Sequence, residues 1–377
     1  MSGKRGPASA VPARRVRVAL GERSYPIEIG VGTLDAVGPA VEAATGARRA
    51  ILISVPPVAR RYAGRVERSL RDAGVRPKRL IVPDGERTKN LGQAAKLYDA
   101  CLAAGADRSC VIIALGGGVV GDLAGFVAAT LLRGIPVVQI PTSLLAMVDS
   151  SVGGKTGVNV ARGKNLVGAF HQPRLVWIDA ETLRTLPPRQ LAAGLAEVIK
   201  HAAIRDERLF RRLERDLDRL LALDSGILVP VLQRNCAIKA AVISEDEREV
   251  GARMLLNFGH TLGHAAEALM KYRGILHGEG VAMGMAFAAD LSEELGLAPS
   301  GTADRLCALL EKAGLPMELP DFPRSAYLRA LAVDKKKRDD HVHFVVLRAI
   351  GRAETRPLRL AEIWPSRRKL RRRGPGG

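Results

Sequence analysis

Cysteine is scarce in this chain of 377 residues: Cys101, Cys110, Cys236 and Cys307 stand far apart and form no C-x-x-C pair. That spacing speaks against a disulfide framework and predicts buried, reduced thiols of the kind found in cytosolic proteins. Aromatic residues make up 4% of the chain and are not interleaved with basic runs, so the stacking platform of a single-strand nucleic-acid binder is missing. No apolar run approaches the ~20 residues of a membrane span. A secretory signal is not expected either, because the basic stretch Met1–Pro7 has no apolar core behind it. Acid is absent from both ends. Residues 1–17 carry five Lys or Arg and residues 366–377 carry six, with no Asp or Glu in either stretch, against a net charge of +19. Basic ends of this kind are solvated, disordered extensions, with weak, salt-sensitive contact to RNA or DNA as the alternative. The excess left to the body of the chain suits a small anionic substrate.

What is present is globular: 47% hydrophobic and 26% charged residues, over a length that suggests two domains. Val16–Leu20 and Tyr25–Gly30 read as paired strands, and Ala50–Val55 and Arg79–Pro83 as further strands. Helices follow through about Ala73 and over Leu91–Ala104. Strands alternating with helices predict a mostly parallel sheet that binds ligands at its carboxyl ends. From Pro187-Pro188 onward the pattern turns helical, over Arg189–His201, Asp206–Leu221, Ile227–Ile243, His260–Arg273, Val281–Leu295, Thr302–Ala313 and Arg324–Ala332. His343–Leu347 is the one extended exception. The expected organisation is a basic tail at 1–15, an α/β domain at 16–186, a helical domain at 187–365 and a second basic tail at 366–377.

The densest concentration of signals lies in Val111–Asn165. The buried-strand run Val111–Leu115 leads into Gly116, Gly117 and Gly118, then Gly121-Asp122 and a helix-like segment. A second apolar run, Ile135–Ile140, leads into Pro141-Thr142-Ser143, and a third segment, Asp149–Lys155, is followed by Lys164-Asn165. Small residues let a backbone approach a ligand, and amide N–H groups at a helix start attract anions. Three such turns after successive apolar runs describe the floor of a nucleotide site.

The helical half carries a different chemistry. Glu197 and Lys200 stand one turn apart on a helix, a spacing that also suits a surface ion pair. His260 and His264 share a helix face, and His277 precedes a Met- and Ala-rich helix. Each histidine alone suits a satisfied core position. Three of the chain's seven fall within 18 residues, and two histidines with one carboxylate describe a catalytic divalent metal site that keeps a position open, with Zn²⁺ the default. Lys239, Arg253 and the run Asp334–Arg338 offer cations for phosphate or carboxylate, or simply a solvated face.

These motifs resemble one family. The runs G-G-G-V-V-G-D-L-A-G-F at 116–126, P-T-S-L-L-A-M-V-D-S-S-V-G-G-K at 141–155 and G-K-N-L-V-G-A-F at 163–170 are similar to 3-dehydroquinate synthases. So are G-L-A-E-V-I-K at 194–200, L-N-F-G-H-T-L-G-H at 256–264 and H-G-E-G-V-A at 277–282, and the likeness runs from about residue 16 to 360. It implies an α/β Rossmann-like N-terminal NAD-binding domain and an all-α C-terminal metal-binding domain, with the site in the cleft between them. The implied reaction converts 3-deoxy-D-arabino-heptulosonate 7-phosphate to 3-dehydroquinate by transient oxidation, phosphate elimination, re-reduction and aldol closure. NAD and one Zn²⁺ or Co²⁺ per subunit are the implied cofactors. The implied assembly is a cytoplasmic homodimer, with no membrane and no nucleic acid unless through the tails.

Residue by residue, the resemblance makes Glu197, His260 and His277 the metal ligands. It places Asp84, Gly85, Glu86, Arg87, Thr88 and Lys89 at the NAD site, with Gly118, Val119, Val120, Gly121, Asp122, Thr142, Ser143, Lys155, Lys164, Thr182, Leu183, Arg184 and Thr185. Asp149, Lys155, Asn165, Lys200, Lys239, Arg253, Asn257 and His264 would hold the substrate. Lys335 and Lys336 would close on it, and Arg133 would reach a neighbouring subunit's phosphate. The chain departs from the family pattern at Val55, where an aspartate usually holds the adenosine ribose, and at Ser143, Met147 and Gln190. Val55 is therefore expected to weaken NAD binding. Another sugar-phosphate cyclase would change the substrate-contacting set. A metal-dependent polyol dehydrogenase would release NADH and usually lacks the phosphate-binding lysines. A basic-tailed nucleic-acid-binding protein is the non-enzymatic alternative.

Overall fold

Ala50–Ser54 and Val111–Leu115 would be apolar on both faces of an extended chain, and such runs need a packed layer on each side. The computed structural model describes residues 14–333, 337–338 and 341–364 and gives them those layers. Residues 1–13 and 365–377, and also Lys335 and Lys336, lie outside the described residues, so of the basic tails expected at 1–15 and 366–377 only Arg14 and Arg15 are described, and they belong to the first strand. In the first half the strands are β1 (Arg14–Val18), β2 (Tyr25–Gly30), β3 (Arg49–Ser54), β4 (Arg76–Ile81), β5 (Cys110–Gly116), β6 (Val137–Pro141), β7 (Lys155–Val160), β8 (Gly163–Phe170) and β9 (Leu175–Asp179). Seven of them form one sheet in the order β1-β2-β9-β6-β5-β3-β4, parallel except for β1.

Alternation along β3 and β5 builds the two cores. Ile51, Ile53, Ile112 and Ala114 pack with residues of the helices Leu91–Ala103 and Gly118–Thr130. Ala50, Leu52, Val111, Ile113 and Leu115 pack with the helices Val37–Thr45 and Gly64–Asp72. The sheet's edges are blunted by charge and proline: β1 carries Arg14, Arg15 and Arg17, and β4 carries Arg76, Pro77, Lys78 and Arg79. Because the strands are parallel, their carboxyl ends share one rim. The turns after β3, β4, β5, β6 and β9 hold Val55, Asp84–Lys89, Gly116–Gly118, Thr142-Ser143 and Thr182–Thr185.

The hairpin β7–β8 is a feature that the sequence patterns miss, because glycine and polar residues break its alternation. It packs on the helix Gly118–Thr130, where a Cβ on Gly125 would stand 2.4 Å from Thr156 Cγ2. Only a glycine allows that approach.

The chain divides into two units: the described residues of Met1–Leu186 with Ala222–Ser244, and those of Pro187–Leu221 with Glu245–Gly377. The helix Ser225–Glu245, which its sequence position assigns to the second domain, thus clusters almost wholly with the first unit. Its Cys236 Sγ lies 3.5 Å from the Met147 carbonyl, and its Lys239 Nζ donates to the Asp149 carbonyl at 2.6 Å. It is long and apolar enough to cross a membrane, but 67% of its apolar window is buried in the protein, as in a core helix.

The second unit is mainly helical, with Pro188–Arg205, Glu207–Leu221, His260–Leu269, His277–Glu294, Thr302–Lys312 and Arg324–Val333. It is not all-α. His343–Leu347 belongs to β11 (His341–Ala349), which pairs with β10 (Lys337–Arg338) and β12 (Arg352–Arg359) in a three-stranded sheet. The apolar face of β11 docks on the helix His277–Glu294, where Leu347 N–H donates to Ser292 Oγ at 2.9 Å. The charged sequence of β12 hides its strand character, and only pairing with β11 reveals it.

All four cysteines are free and buried. Burial, with Cys110 adding to it, pushes the Cys101 thiol up to about 11, and burial pushes Cys236 up to about 12. We expect native protein at mildly alkaline pH to show no fast-reacting thiol toward a disulfide reagent, and all four to react once it is denatured. A fast stoichiometric reaction in the native state would contradict this burial.

Candidate functional site

The second unit brings its histidines together by removing Cβ atoms from helix crossings. A Cβ on Gly284 would lie 1.8 Å from the Gly259 carbonyl, one on Gly263 would lie 2.7 Å from the Gly280 carbonyl, and one on Gly278 would lie 1.8 Å from the Ala193 carbonyl. These contacts pull the helices His260–Leu269 and His277–Glu294 against each other, and the second against Pro188–Arg205. The His260, His264 and His277 ring centroids then stand 5.1–5.8 Å apart.

Glu197 and Lys200 are not a surface pair. Their side chains are 0% and 1% exposed and form a buried ion pair. Glu197 Oε1 accepts no hydrogen bond, yet His260 Nε2 lies 3.7 Å and His277 Nε2 3.9 Å from it. Such spacings are too long for hydrogen bonds and close to the ~3.4 Å between tetrahedral ligands that each sit about 2.1 Å from a shared ion. The other nitrogens of both rings are engaged, His277 Nδ1 with Glu267 Oε1 at 2.9 Å and His260 Nδ1 with the Phe258 carbonyl at 3.3 Å. One buried carboxylate and two imidazoles that direct Nε2 toward it fit a divalent ion. His264 is the more exposed member of a second, overlapping set with His260 and His277, whose ligand atoms lie within 4.8 Å of one another.

Arg253 and Asn257 lie on the short 3-10 helix Ala252–Asn257, and the turn before it has an unforeseen organiser. By sequence the run Glu245–Glu249 resembles a solvent face, but Asp246 is buried and accepts from Val250 N at 3.1 Å, Gly251 N at 2.7 Å and Arg253 N at 3.1 Å. Arg253 in turn donates to the Glu247 carbonyl, and Asn257 Nδ2 to Glu249 Oε1 at 2.6 Å. An aspartate within an acidic run just ahead of Gly251 was the available signal.

In the first unit, Gly117 is extended and the helix that starts at Gly118 presents its first amides at the sheet's rim. Val119, Val120 and Gly121 follow in its first turn. Thr142 N–H donates to the Gly116 carbonyl at 3.0 Å, and Ser143 Oγ accepts from Ala146 N at 3.4 Å. A Cβ on Gly118 would come within 3.0 Å of Ser150 Oγ, a buried hydroxyl without a hydrogen-bond partner. Ser150 thus belongs with this turn, although sequence reasoning passed over it.

Lys89 Nζ reaches Asp122 Oδ2 at 2.9 Å and Glu86 Oε1 at 3.4 Å, and Glu86 also accepts from Asn159 Nδ2 at 2.7 Å. Burial alone would push the Lys89 pKa down; the two carboxylates outweigh it and hold it up, so the ammonium is charged. Asp84 caps Gly85 N–H at 2.8 Å, Arg87 is exposed on the same turn and Thr88 is buried. Thr182 donates to the Asp179 carbonyl at 2.8 Å and Thr185 meets Tyr62 Oη at 2.6 Å, with Leu183 buried and Arg184 exposed between them. Asp149 binds Lys239, while Lys155, Lys164 and Asn165 lie on the hairpin β7–β8. Val55 is buried in the core beside β3, and Met147 is buried, whereas Gln190 is exposed. Arg133 is exposed, and it and Leu132 both adopt positive φ, at 66° and 52°.

Two family models, for the N-terminal and C-terminal parts of 3-dehydroquinate synthase, match residues 79–193 and 194–337. The chain belongs to the 3-dehydroquinate synthase family. The 3-dehydroquinate synthase of Citrifermentans bemidjiense is 50% identical over 339 residues, 90% of this chain and 94% of the relative. Among solved structures, a 2-epi-5-epi-valiolone synthase from Streptomyces hygroscopicus subsp. jinggangensis with NAD⁺ and Zn²⁺ bound is 32% identical, with a TM-score of 0.83 over 92% of this chain and 96% of that one. A 2-deoxy-scyllo-inosose synthase complexed with carbaglucose-6-phosphate, NAD⁺ and Co²⁺ is 28% identical, with a TM-score of 0.83 over 93% and 98%. The sugar-phosphate cyclases share the fold, and the dehydroquinate synthase is closer by 18 percentage points than the nearer of those two.

Asp246 provides a test of the loop. Burial pushes its carboxyl up, but the backbone donors more than reverse this and hold it below the usual carboxylate range. A depressed folded pKa means stability that is present above the unfolded pKa and lost as pH falls through the folded one. We expect Asp246→Asn to cost about 1–3 kcal/mol at neutral pH. The gap to wild type should narrow on acidification below the carboxylate range. Denaturant titrations at both pH values check this, and a constant gap would contradict it.

Proposed function

We propose that this chain converts 3-deoxy-D-arabino-heptulosonate 7-phosphate to 3-dehydroquinate and phosphate. The observation that carries the reading is the buried Glu197 oxygen faced by His260 and His277 Nε2, in a member of the dehydroquinate synthase family. Glu197, His260 and His277 would hold Zn²⁺ or Co²⁺. When bound, the ion would supply Lewis acidity at a substrate hydroxyl, and NAD would accept a hydride and return it. Lys200, buried against Glu197, forms an ion pair with it and would hold that carboxylate in place. Lys155, Asn165, Lys239, Arg253, Asn257 and His264 would position the carboxylate and phosphate of the substrate, with arginine as a fork and lysines as point charges. The rim turns, with Lys89, Asp122, Thr142 and Ser143, would hold the dinucleotide. Oxidation and re-reduction cancel, so the balance is one substrate to one ketone product and one phosphate.

A homodimer in the cytoplasm completes the proposal. Arg133 projects from a left-handed backbone segment at the surface, and Leu166, Val167 and Phe170 of β8 are exposed apolar side chains that suit burial against a second copy. The four buried thiols fit a reducing compartment.

Purified protein with catalytic NAD⁺ and Zn²⁺ should release phosphate from the heptulosonate phosphate without net NADH. Accumulating NADH would point to a dehydrogenase, and release only from a heptulose phosphate that lacks the carboxylate would point to another cyclase. His260→Ala should lose stoichiometric zinc, and retained zinc would remove His260 from the ligand set.

A further inference from the structure

We propose that Glu267 is a positioning residue for the His277 imidazole, setting which ring nitrogen is free to bind a metal. The proposal rests on the reading of Glu197, His260 and His277 as the ligand set. Glu267 lies seven residues after His260 on the helix His260–Leu269, so both project from similar faces. It is buried, and its Oε1 stands 2.9 Å from His277 Nδ1. On the facing helix Gly280 leaves room for it: a Cβ there would come within 3.4 Å of Glu267 Oε1 and Cγ.

A carboxylate only accepts hydrogen bonds, so this contact places the imidazole proton on Nδ1. The lone pair then remains on Nε2, the nitrogen 3.9 Å from Glu197 Oε1. The contact also fixes the ring's rotation and raises its basicity as a ligand. The Phe258 carbonyl, 3.3 Å from His260 Nδ1, imposes the same tautomer on the second histidine. A carbonyl is neutral, whereas Glu267 brings a negative charge next to the site. The two histidines thus differ in donor strength, and His277 is the one whose binding depends on a replaceable side chain.

The test is zinc affinity of the metal-stripped full-length protein, measured by competition with a chelating dye for wild type, Glu267→Gln and Glu267→Ala. Glu214→Gln serves as the control. It breaks a comparable carboxylate fork, on Arg305, that touches none of the histidines. We expect Glu267→Gln to weaken zinc binding by at least about tenfold and Glu267→Ala by more, within the range known for such outer partners. The visible absorption of the Co²⁺-loaded variants should also change, and Glu214→Gln should alter neither readout. If Glu267 merely ties two helices together, Glu267→Gln will lower the apo protein's Tm as Glu214→Gln does while zinc affinity and the Co²⁺ spectrum stay as in wild type. That result overturns the proposal. Glu267→Gln keeps the volume and one acceptor, so it decides the matter should Glu267→Ala fail to fold. Failure of wild type to take up one zinc, or zinc retained in His260→Ala, would instead bring down the ligand assignment beneath it.

Discussion

A carboxylate with no exposed surface is costly to keep ionised unless cations surround it, by several kcal/mol per ion. Glu197 is such a group, and much of the second unit is arranged around that cost. Lys200 offsets part of it from one helical turn away. The remaining oxygen faces two imidazole nitrogens, and a divalent ion among the three would satisfy all of them. The glycines at 259, 263, 278 and 284 let these segments approach nearly to backbone contact, since a Cβ added at any of them would fall within 3 Å of facing backbone.

The first unit meets a different constraint. A parallel sheet buried on both faces leaves only its rim for chemistry, and the strands' common direction gathers five turns at one rim. The absence of a Cβ at Gly116 and Gly118 lets the turn pack against Val120 and Ser150, and the buried polar groups Lys89, Thr142 and Ser150 would be available to a ligand there. Lys89 remains charged because Asp122 and Glu86 compensate its burial. The arrangement suits a dinucleotide, whose phosphates need amides and cations and whose rings need apolar walls.

Much of this was legible in the sequence. Helix Leu91–Ala103 and strand β5 lie within a residue or two of their expected bounds, because apolar periodicity reports directly on burial. The histidine spacing disclosed a shared face. The hairpin β7–β8 and strand β12 were not legible: their side chains are polar or small, and their stability comes from pairing with a neighbour. Asp246 and Glu267 escaped notice for a related reason, since an acid in a sequence does not reveal whether it meets water, backbone N–H groups or another side chain.

By itself the sequence determined which segments are helix or buried strand, where glycine relieves the backbone, and which donor types the chain can offer. It also carried the family likeness. Tertiary structure alone decided that Glu197 and Lys200 are buried and not at the surface, that the helix Ser225–Glu245 packs with the first unit, and that Glu267 meets His277. The physical reason is that local periodicity records which face of an element is apolar. What the polar atoms touch depends on contacts between residues far apart in the chain.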